Sequence, residues 1–273
     1  EGWRWALAIG AVPAVYALIV RWALPESPRW LASRGRATEA ERVVSGMESS
    51  PVLFGRPAAT VAAAVEASSA RASTVGERLR GLWTPAMRRR TASLWIVWFC
   101  VNFSYYGAFI WIPTLLVSQG FGLVRSFEFT LLITLAQLPG YAVAAWLIEV
   151  WGRRATLSVF LAGSAVAAIL FGQATTIPMI LATGMALSFF NLGAWGALYA
   201  VTPETYSTSL RATGAGWAAG VGRIASILAP PIVPVLQAVG GIPVVFIVLS
   251  AFFAIAAAAT WGLSESRGRS LAE

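Results

Sequence analysis

The chain has 273 residues, 58% of them hydrophobic and 12% charged, with a mean hydropathy of +0.70; that much apolar side chain exceeds what one water-soluble core can hide. All twenty basic residues are arginine and all twelve acidic residues glutamate, a formal charge of +8, and the absence of histidine excludes imidazole bases, imidazole metal ligands and histidine pH switches. The single cysteine, Cys100, can form no internal disulfide and supplies no metal cluster.

A bilayer core is crossed by ~20 mostly apolar residues rising 1.5 Å each. Seven such runs are predicted, at about 3–22, 92–117, 128–148, 155–174, 178–201, 212–238 and 243–263. The start at Glu1, with neither a methionine nor a charged leader and cleavage site, reads as an N-terminal truncation. The segment 25–90 is polar, with eleven arginines and six glutamates. It is predicted as a linker of short helices broken by Pro51, Pro57 and Pro85, with capping-box spacing at Thr38–Glu41 and Thr74–Glu77. Its end, Arg88 to Arg90, stands just before the second run, where lipid phosphate can neutralise it.

Arginine placement gives an orientation, because positively charged loops stay in the cytoplasm. With 25–90 inside, Arg153, Arg154, Arg211, Arg267 and Arg269 fall inside too. Sixteen arginines then face two outside, Arg4 and Arg125, with Arg21 at the boundary and Arg223 within the membrane. Tryptophans mark both interfaces: Trp3 and Trp5 on one side, Trp22, Trp146, Trp151 and Trp261 on the other. Topology accounts for the basic charge, and no nucleic-acid partner is implied.

The first run ends in Pro25-Glu26-Ser27-Pro28-Arg29-Trp30 and the last in Ser264-Glu265-Ser266-Arg267-Gly268-Arg269. Two such echoes separated by a long loop and six runs suggest the parallel halves of a transporter. The chain is then divided into a last helix of a first half (1–24), a cytoplasmic linker (25–90), a six-helix second half (91–263) and a cytoplasmic tail (264–273).

Residues 24–31, Leu-Pro-Glu-Ser-Pro-Arg-Trp-Leu, resemble the sequence after helix six in sugar porters and organic ion transporters of the major facilitator superfamily. Trp151-Gly152-Arg153-Arg154 is similar to that superfamily's motif between helices eight and nine, with Glu149 where aspartate is usual and Ala145 where glycine is usual. Glu204 and Arg211 match the motif between helices ten and eleven. The resemblance implies an all-α membrane fold equivalent to helices six to twelve, lacking helices one to five. It also implies a multi-pass protein of the bacterial inner membrane. Glu26, Arg29, Glu149, Gly152, Arg153, Arg154, Glu204 and Arg211 then form a cytoplasmic motif set. Charge pairs among these residues would hold one state closed on the inside; the alternative is that they only fix topology and pair with lipid headgroups.

At mid-depth a polar group is costly unless paired or facing a watered cavity. Arg223 lies roughly 17 Å into its run in a core of ~30 Å, with no glutamate at that depth. A guanidinium fork suits a carboxylate, so an organic anion is the expected cargo; the alternative is an acid on an absent helix. Asn102, Tyr105, Tyr106 and Phe109 share a face by their spacing, and Asn191, Trp195 and Tyr199 form a second stripe, with Gln137 central in its own run. Together they describe a pocket for a small aromatic acid.

Trp98-Phe99 with Phe103-Ser104-Tyr105-Tyr106-Gly107 resembles helix seven of organic anion transporters, and Gly222-Arg223-Ile224-Ala225-Ser226 resembles their helix eleven. Residues 134–140 and 212–217 look most like bacterial proton symporters for aromatic acids and nicotinate. A proton partner is implied by this resemblance alone. Sugar is the runner-up cargo, held by the helix-six motif. An inert fragment that needs a separate first half is a further alternative. No phosphate-binding G-x-x-x-x-G-K-S/T loop occurs, the residues for an intramembrane enzyme are missing, and no cofactor or metal is expected.

Overall fold

The computed structural model describes residues 2–23, 25–33, 35–48, 74–207 and 210–265, and every regular element among them is a helix. They fall into two compact units, Glu1–Ser73 and Thr74–Glu273. The predicted breaks at Pro51 and Pro57 and the tail arginines Arg267 and Arg269 lie outside the described residues.

In the first unit, α1 (Gly2–Ala23) is apolar and contains Pro13. Its Ile9, Val12, Tyr16 and Ile19 side chains are exposed, a surface suited to hydrocarbon more than to water. After α2 (Pro28–Ser33) the chain turns on Gly35, whose φ of +75° places it in the left-handed region. The Arg36 N–H donates to Leu31 O and the Gly35 N–H to Ala32 O, both at 3.0 Å, closing the helix end. α3 (Ala37–Glu48) begins immediately afterwards, which puts Thr38 inside the helix instead of at its predicted cap. Arg36 reaches Glu39 with a two-pronged contact of 2.8 and 2.6 Å. Leu31, Ala32 and Ala40, with Val43, join α2 to α3.

The second unit opens with α4 (Val75–Leu82), where the predicted capping box forms: Thr74 Oγ1 accepts from the Glu77 N–H at 3.3 Å and Glu77 Oε2 from the Thr74 N–H at 2.8 Å. There follow α5 (Arg88–Phe109), α6 (Ile112–Ser118), α7 (Leu123–Leu135), α8 (Gln137–Trp151), α9 (Arg153–Gly172), α10 (Ile177–Glu204) and α11 (Arg211–Ala259). Four stretches, Leu123–Trp151, Arg153–Gly172, Ile177–Glu204 and Arg211–Gly262, are long and apolar enough to cross a bilayer, and the pair α5–α6, bent by 43°, makes a fifth. α11 is two crossings. Val233 and Leu249 both lie against Gly107, although sixteen residues of straight helix would hold them ~24 Å apart. The chain reverses at Gly240 and Gly241, the latter with φ of +70°.

Proline sets the remaining breaks by removing one N–H from the helix ladder. Pro139 leaves the Leu135 carbonyl without its helical donor at the α7–α8 break, and Pro113 does the same to Phe109 at the α5–α6 bend. In α11, Pro234 frees the Pro230 carbonyl, and the Trp111 indole N–H, at the α5–α6 bend, donates to it at 3.1 Å. The two interruptions are thus tied to each other. Trp111→Phe leaves a smaller aromatic ring and deletes the donor; it is expected to cost at least about 1–2 kcal/mol, read as a lower midpoint of thermal unfolding in detergent.

The main seam packs α5 on α11, whose Gly214, Ala218, Gly222, Ala225, Ala229 and Val233 form the buried stripe. Gly216 and Gly220, small residues four apart in the same helix, do not join it. Each lies on the open side of α11, with nothing within 4 Å of an added Cβ. Two residues of offset turn a helical position by ~200°, away from the seam. Ser104 Oγ donates to Leu249 O at 3.0 Å and Ser250 Oγ to Ala165 O at 2.8 Å, fastening the second limb of α11 to α5 and α9.

Candidate functional site

Two groups of predicted residues come together in the second unit, separated along α11 by the distance from Arg211 to Arg223, ~18 Å. At the Arg223 level, α5 presents Trp98, Asn102, Tyr105, Tyr106 and Phe109, all within about three turns. The Arg223 Nη1 donates to the Tyr106 hydroxyl at 3.0 Å. Among the described residues no carboxylate pairs with this guanidinium, which is exposed on the same open face of α11 as Gly216, Gly220 and Ile227. The two glycines leave free space beside it.

Tyr105 stacks on Phe109 at 4.9 Å between centroids and meets Tyr106 and Trp195 edge-on at 5.3 and 5.8 Å. Trp195 stacks on Tyr199 at 5.6 Å, and Trp98 is edge-on to both. The result is an aromatic wall from α5 to α10 with a cation at one end. Edge-to-face and offset geometries of this kind hold ring positions firmly. The Trp98 indole N–H is anchored to Thr202 Oγ1 at 2.9 Å.

Asn102 is placed differently from Tyr105 and Tyr106. It is 1% exposed, its Nδ2 donates to Trp98 O at 2.8 Å, and its Oδ1 accepts from Ser226 Oγ at 3.0 Å. Gly222 comes so close that a Cβ there would lie 2.5 Å from the Asn102 amide. Asn102 therefore cross-links α5 and α11 behind the wall. Asn191, one turn from Trp195, is fully buried, and among the described residues neither its amide nitrogen nor its oxygen has a hydrogen-bond partner; the same holds for the Trp195 indole nitrogen. Gln137 is half-buried at the first residue of α8. One turn on, Tyr141 lies against Gly196, beside Trp195.

The second group surrounds Gly152, which links α8 to α9 with φ of +94°. Glu265 Oε1 and Oε2 accept from the backbone N–H groups of Arg153 and Arg154 at 3.0 and 3.1 Å. This places a carboxylate on the positive end of α9 and satisfies two of its free donors. A Cβ on Gly152 would lie 2.8 Å from that carboxylate. Arg153 extends to Glu204 at 3.1 Å and to Glu149 at 3.3 Å. The Glu204 pair is the stronger, since both side chains are largely covered, whereas Glu149 is 72% exposed and screened by water. The Arg154 guanidinium sits 5.0 Å over the Trp261 ring. Arg211 Nε donates to Pro203 O at 2.9 Å, closing the C-terminal end of α10 with a positive charge. Between them, Tyr206 packs its ring on Gly214, and burial pushes its phenol up from the ordinary range.

Of the predicted motif residues, Glu149, Gly152, Arg153 and Glu204 thus meet directly, while Arg154 and Arg211 are engaged beside them. Glu26 is exposed in the first unit before α2, and Arg29 lies in the first turn of α2 with its side chain outside the described residues. Glu265 was legible only as the echo of Glu26; nothing in its own spacing marks it as the partner of α9. Glu265→Ala is expected to cost about 1–2 kcal/mol of thermal stability, and Glu265→Gln less, because one acceptor remains.

The family model "Sugar (and other) transporter" matches residues 1–273. The niacin transporter NiaP of Acinetobacter baylyi is 44% identical over 275 residues, covering 99% of this chain and 60% of that protein. The putative niacin/nicotinamide transporter NiaP of Bacillus subtilis is 43% identical, covering 87% of this chain and 50% of that protein. Among solved structures, the major facilitator superfamily proton:xylose symporter XylE bound to 6-bromo-6-deoxy-D-glucose superposes with a TM-score of 0.72 at 18% identity, over 99% of this chain and 58% of that one. At that identity the likeness speaks for the fold alone. The chain spans about half to three-fifths of the length of the proteins it matches. An all-helical bundle whose exposed helix faces are apolar, matched over its whole length by one family model, leaves a single assignment: this chain is an integral membrane protein of the sugar (and other) transporter family, with the major facilitator fold.

Proposed function

We propose that this chain carries the anion-recognising half of a secondary transporter for a small aromatic carboxylate of the nicotinate class, and that transport proceeds by alternating access. The observation that carries the reading is Arg223, a guanidinium set at mid-depth against the Tyr106 hydroxyl and an aromatic wall, with no carboxylate partner among the described residues. The two NiaP relatives, a niacin transporter and a putative niacin/nicotinamide transporter, support it from outside. The carboxylate docks on the fork of Arg223, and the ring lies along Tyr105, Tyr106 and Trp195.

The linker and tail lie on the cytoplasmic side, and Arg153 with Glu149, Glu204 and the Glu265 carboxylate forms the lock that closes the inner mouth and parts when it opens. Residues 1–24 act as the last helix of a first half, whose helices one to five complete the cavity. Proton coupling rests on the family resemblance alone; with no glutamate at the depth of Arg223 among the described residues, the proton would travel on the substrate or on that first half.

The test is uptake of labelled nicotinate, benzoate and a hexose by proteoliposomes holding the carrier in which this chain resides. Saturable nicotinate uptake, competed by benzoate and untouched by the hexose, is the expected result. Hexose uptake that nicotinate does not compete would overturn the proposal.

A further inference from the structure

The middle of α10 holds polar side chains that the surrounding helices leave unsatisfied. Asn191 stands at the midpoint of α10, ~20 Å from either end and thus at the centre of a bilayer core. Ser188 and Trp195, three residues before it and four after it, lie on the same face of the helix. Asn191 and Ser188 are fully buried, and among the described residues Asn191 Nδ2 and Oδ1, Ser188 Oγ and Trp195 Nε1 have no hydrogen-bond partner. Ser188 departs here from Thr183 and Thr202 in the same helix, whose hydroxyls each donate to the carbonyl four residues back at 2.6 Å. The stripe is closed at both ends. One turn outward from Ser188, a Cβ on Gly184 would meet Ile133 and Phe171, and one turn inward from Asn191 the Trp195 ring packs against Tyr105 and Tyr199. Unpaired amide and hydroxyl groups are costly in a low-dielectric interior, so such atoms are met by protein or by ordered water. A cargo or a first half docks on the open face of the unit and cannot reach atoms that have no accessible surface.

We propose that this stripe is a binding site for internal water, with at least one molecule bridging the Asn191 amide and the Ser188 hydroxyl. Side chains three residues apart on a helix have Cβ atoms ~5–6 Å from each other, a span that one water closes. Water also fits the chemistry: the amide offers a donor and an acceptor, the hydroxyl acts as either, and one water donates and accepts at once. Charge argues against an ion. The charged residues of α7 to α10 stand near helix ends, Arg125 and Glu128 at one side and Glu149, Arg153, Arg154 and Glu204 at the other, so an ion beside Asn191 would lack a counter-charge. Folded proteins hold about one buried water per 27 residues, so a unit the size of Thr74–Glu273 has several to place. The site does not rest on what the carrier transports.

X-ray hydroxyl-radical footprinting of the whole carrier in detergent tests it, because radicals formed on a bound water mark side chains that radicals from bulk solvent do not reach. Leu187, one turn before Asn191, and Leu157 in α9 are both 0% exposed. Leu187 should take up label while Leu157 stays unmarked. Asn191→Leu keeps the approximate volume, removes both polar atoms and should abolish the label at Leu187. Ser188→Ala, a smaller change that keeps the reading possible where the leucine variant fails to fold, should weaken it. Saturating nicotinate should leave the label unchanged. A Leu187 as unreactive as Leu157, undiminished label in either variant, or loss of the label on adding nicotinate would each overturn the proposal, the last by making the stripe part of the cargo site. The label is read without transport, so an error in the cargo assignment leaves this test standing.

Discussion

Arg223→Ala is expected to reduce the initial rate of nicotinate uptake by about 30- to 1,000-fold at an unchanged amount of protein in the membrane. Hydrogen bonds between ionised partners contribute ~1.5–3 kcal/mol, and a carboxylate left without its counter-charge in a partly desolvated site adds to that, giving ~2–4 kcal/mol in total. Arg223→Lys should fall between the variant and the wild type, because lysine retains the charge but loses the planar fork. Tyr106→Phe removes the 3.0 Å contact that orients the guanidinium and should act mainly on apparent affinity, by ~3- to 10-fold. Full uptake by Arg223→Ala would remove this residue from recognition and leave the aromatic wall as packing.

The second large effect lies in the close approach of α8 and α10. A Cβ at Gly140 would fall 2.3 Å from the Phe189 carbonyl oxygen and 3.0 and 3.1 Å from the adjoining backbone atoms. Backbone of a packed helix cannot rotate aside as a side chain does, so the two helices must separate and lose contacts along their length. Gly140→Ala is expected to cost about 2–3 kcal/mol, seen as a clear fall in the midpoint of thermal unfolding in detergent. Gly216→Ala is the matched control. It meets open space, and alanine is the better helix former by about 1 kcal/mol, so it should be neutral or mildly stabilising. Equal, mild stabilisation by both would show that helix propensity, and not the α8–α10 approach, governs the response.

Part of the geometry beside Arg223 was readable from helical spacing. Tyr105, Tyr106 and Phe109 share a face because residues three and four apart must, and that face does meet both α10 and α11. Asn102, spaced just as well, faces the α5–α11 seam instead. A step of 100° per residue distinguishes neighbouring sides of a helix only once the packing partners are known. Gly216 and Gly220 have the four-residue spacing of a packing pair too, yet they face open space, because the seam is lined by Gly214, Ala218 and Gly222, two positions out of step with them.

Hydropathy and arginine spacing were enough to establish a membrane-embedded helical bundle, because the cost of burying charge in hydrocarbon acts on each stretch of chain independently of its neighbours. The motif residues around Gly152 were visible through the resemblance of the contiguous stretch Trp151-Gly152-Arg153-Arg154 to a family motif. Pairings across the bundle were not: Glu265 on the end of α9, Trp111 on the carbonyl freed by Pro234, and Trp98 on Thr202 join positions roughly a hundred residues apart. Such contacts depend on which helices become neighbours and at what height, and that is settled by the summed packing of every seam, a quantity no single stretch of sequence contains.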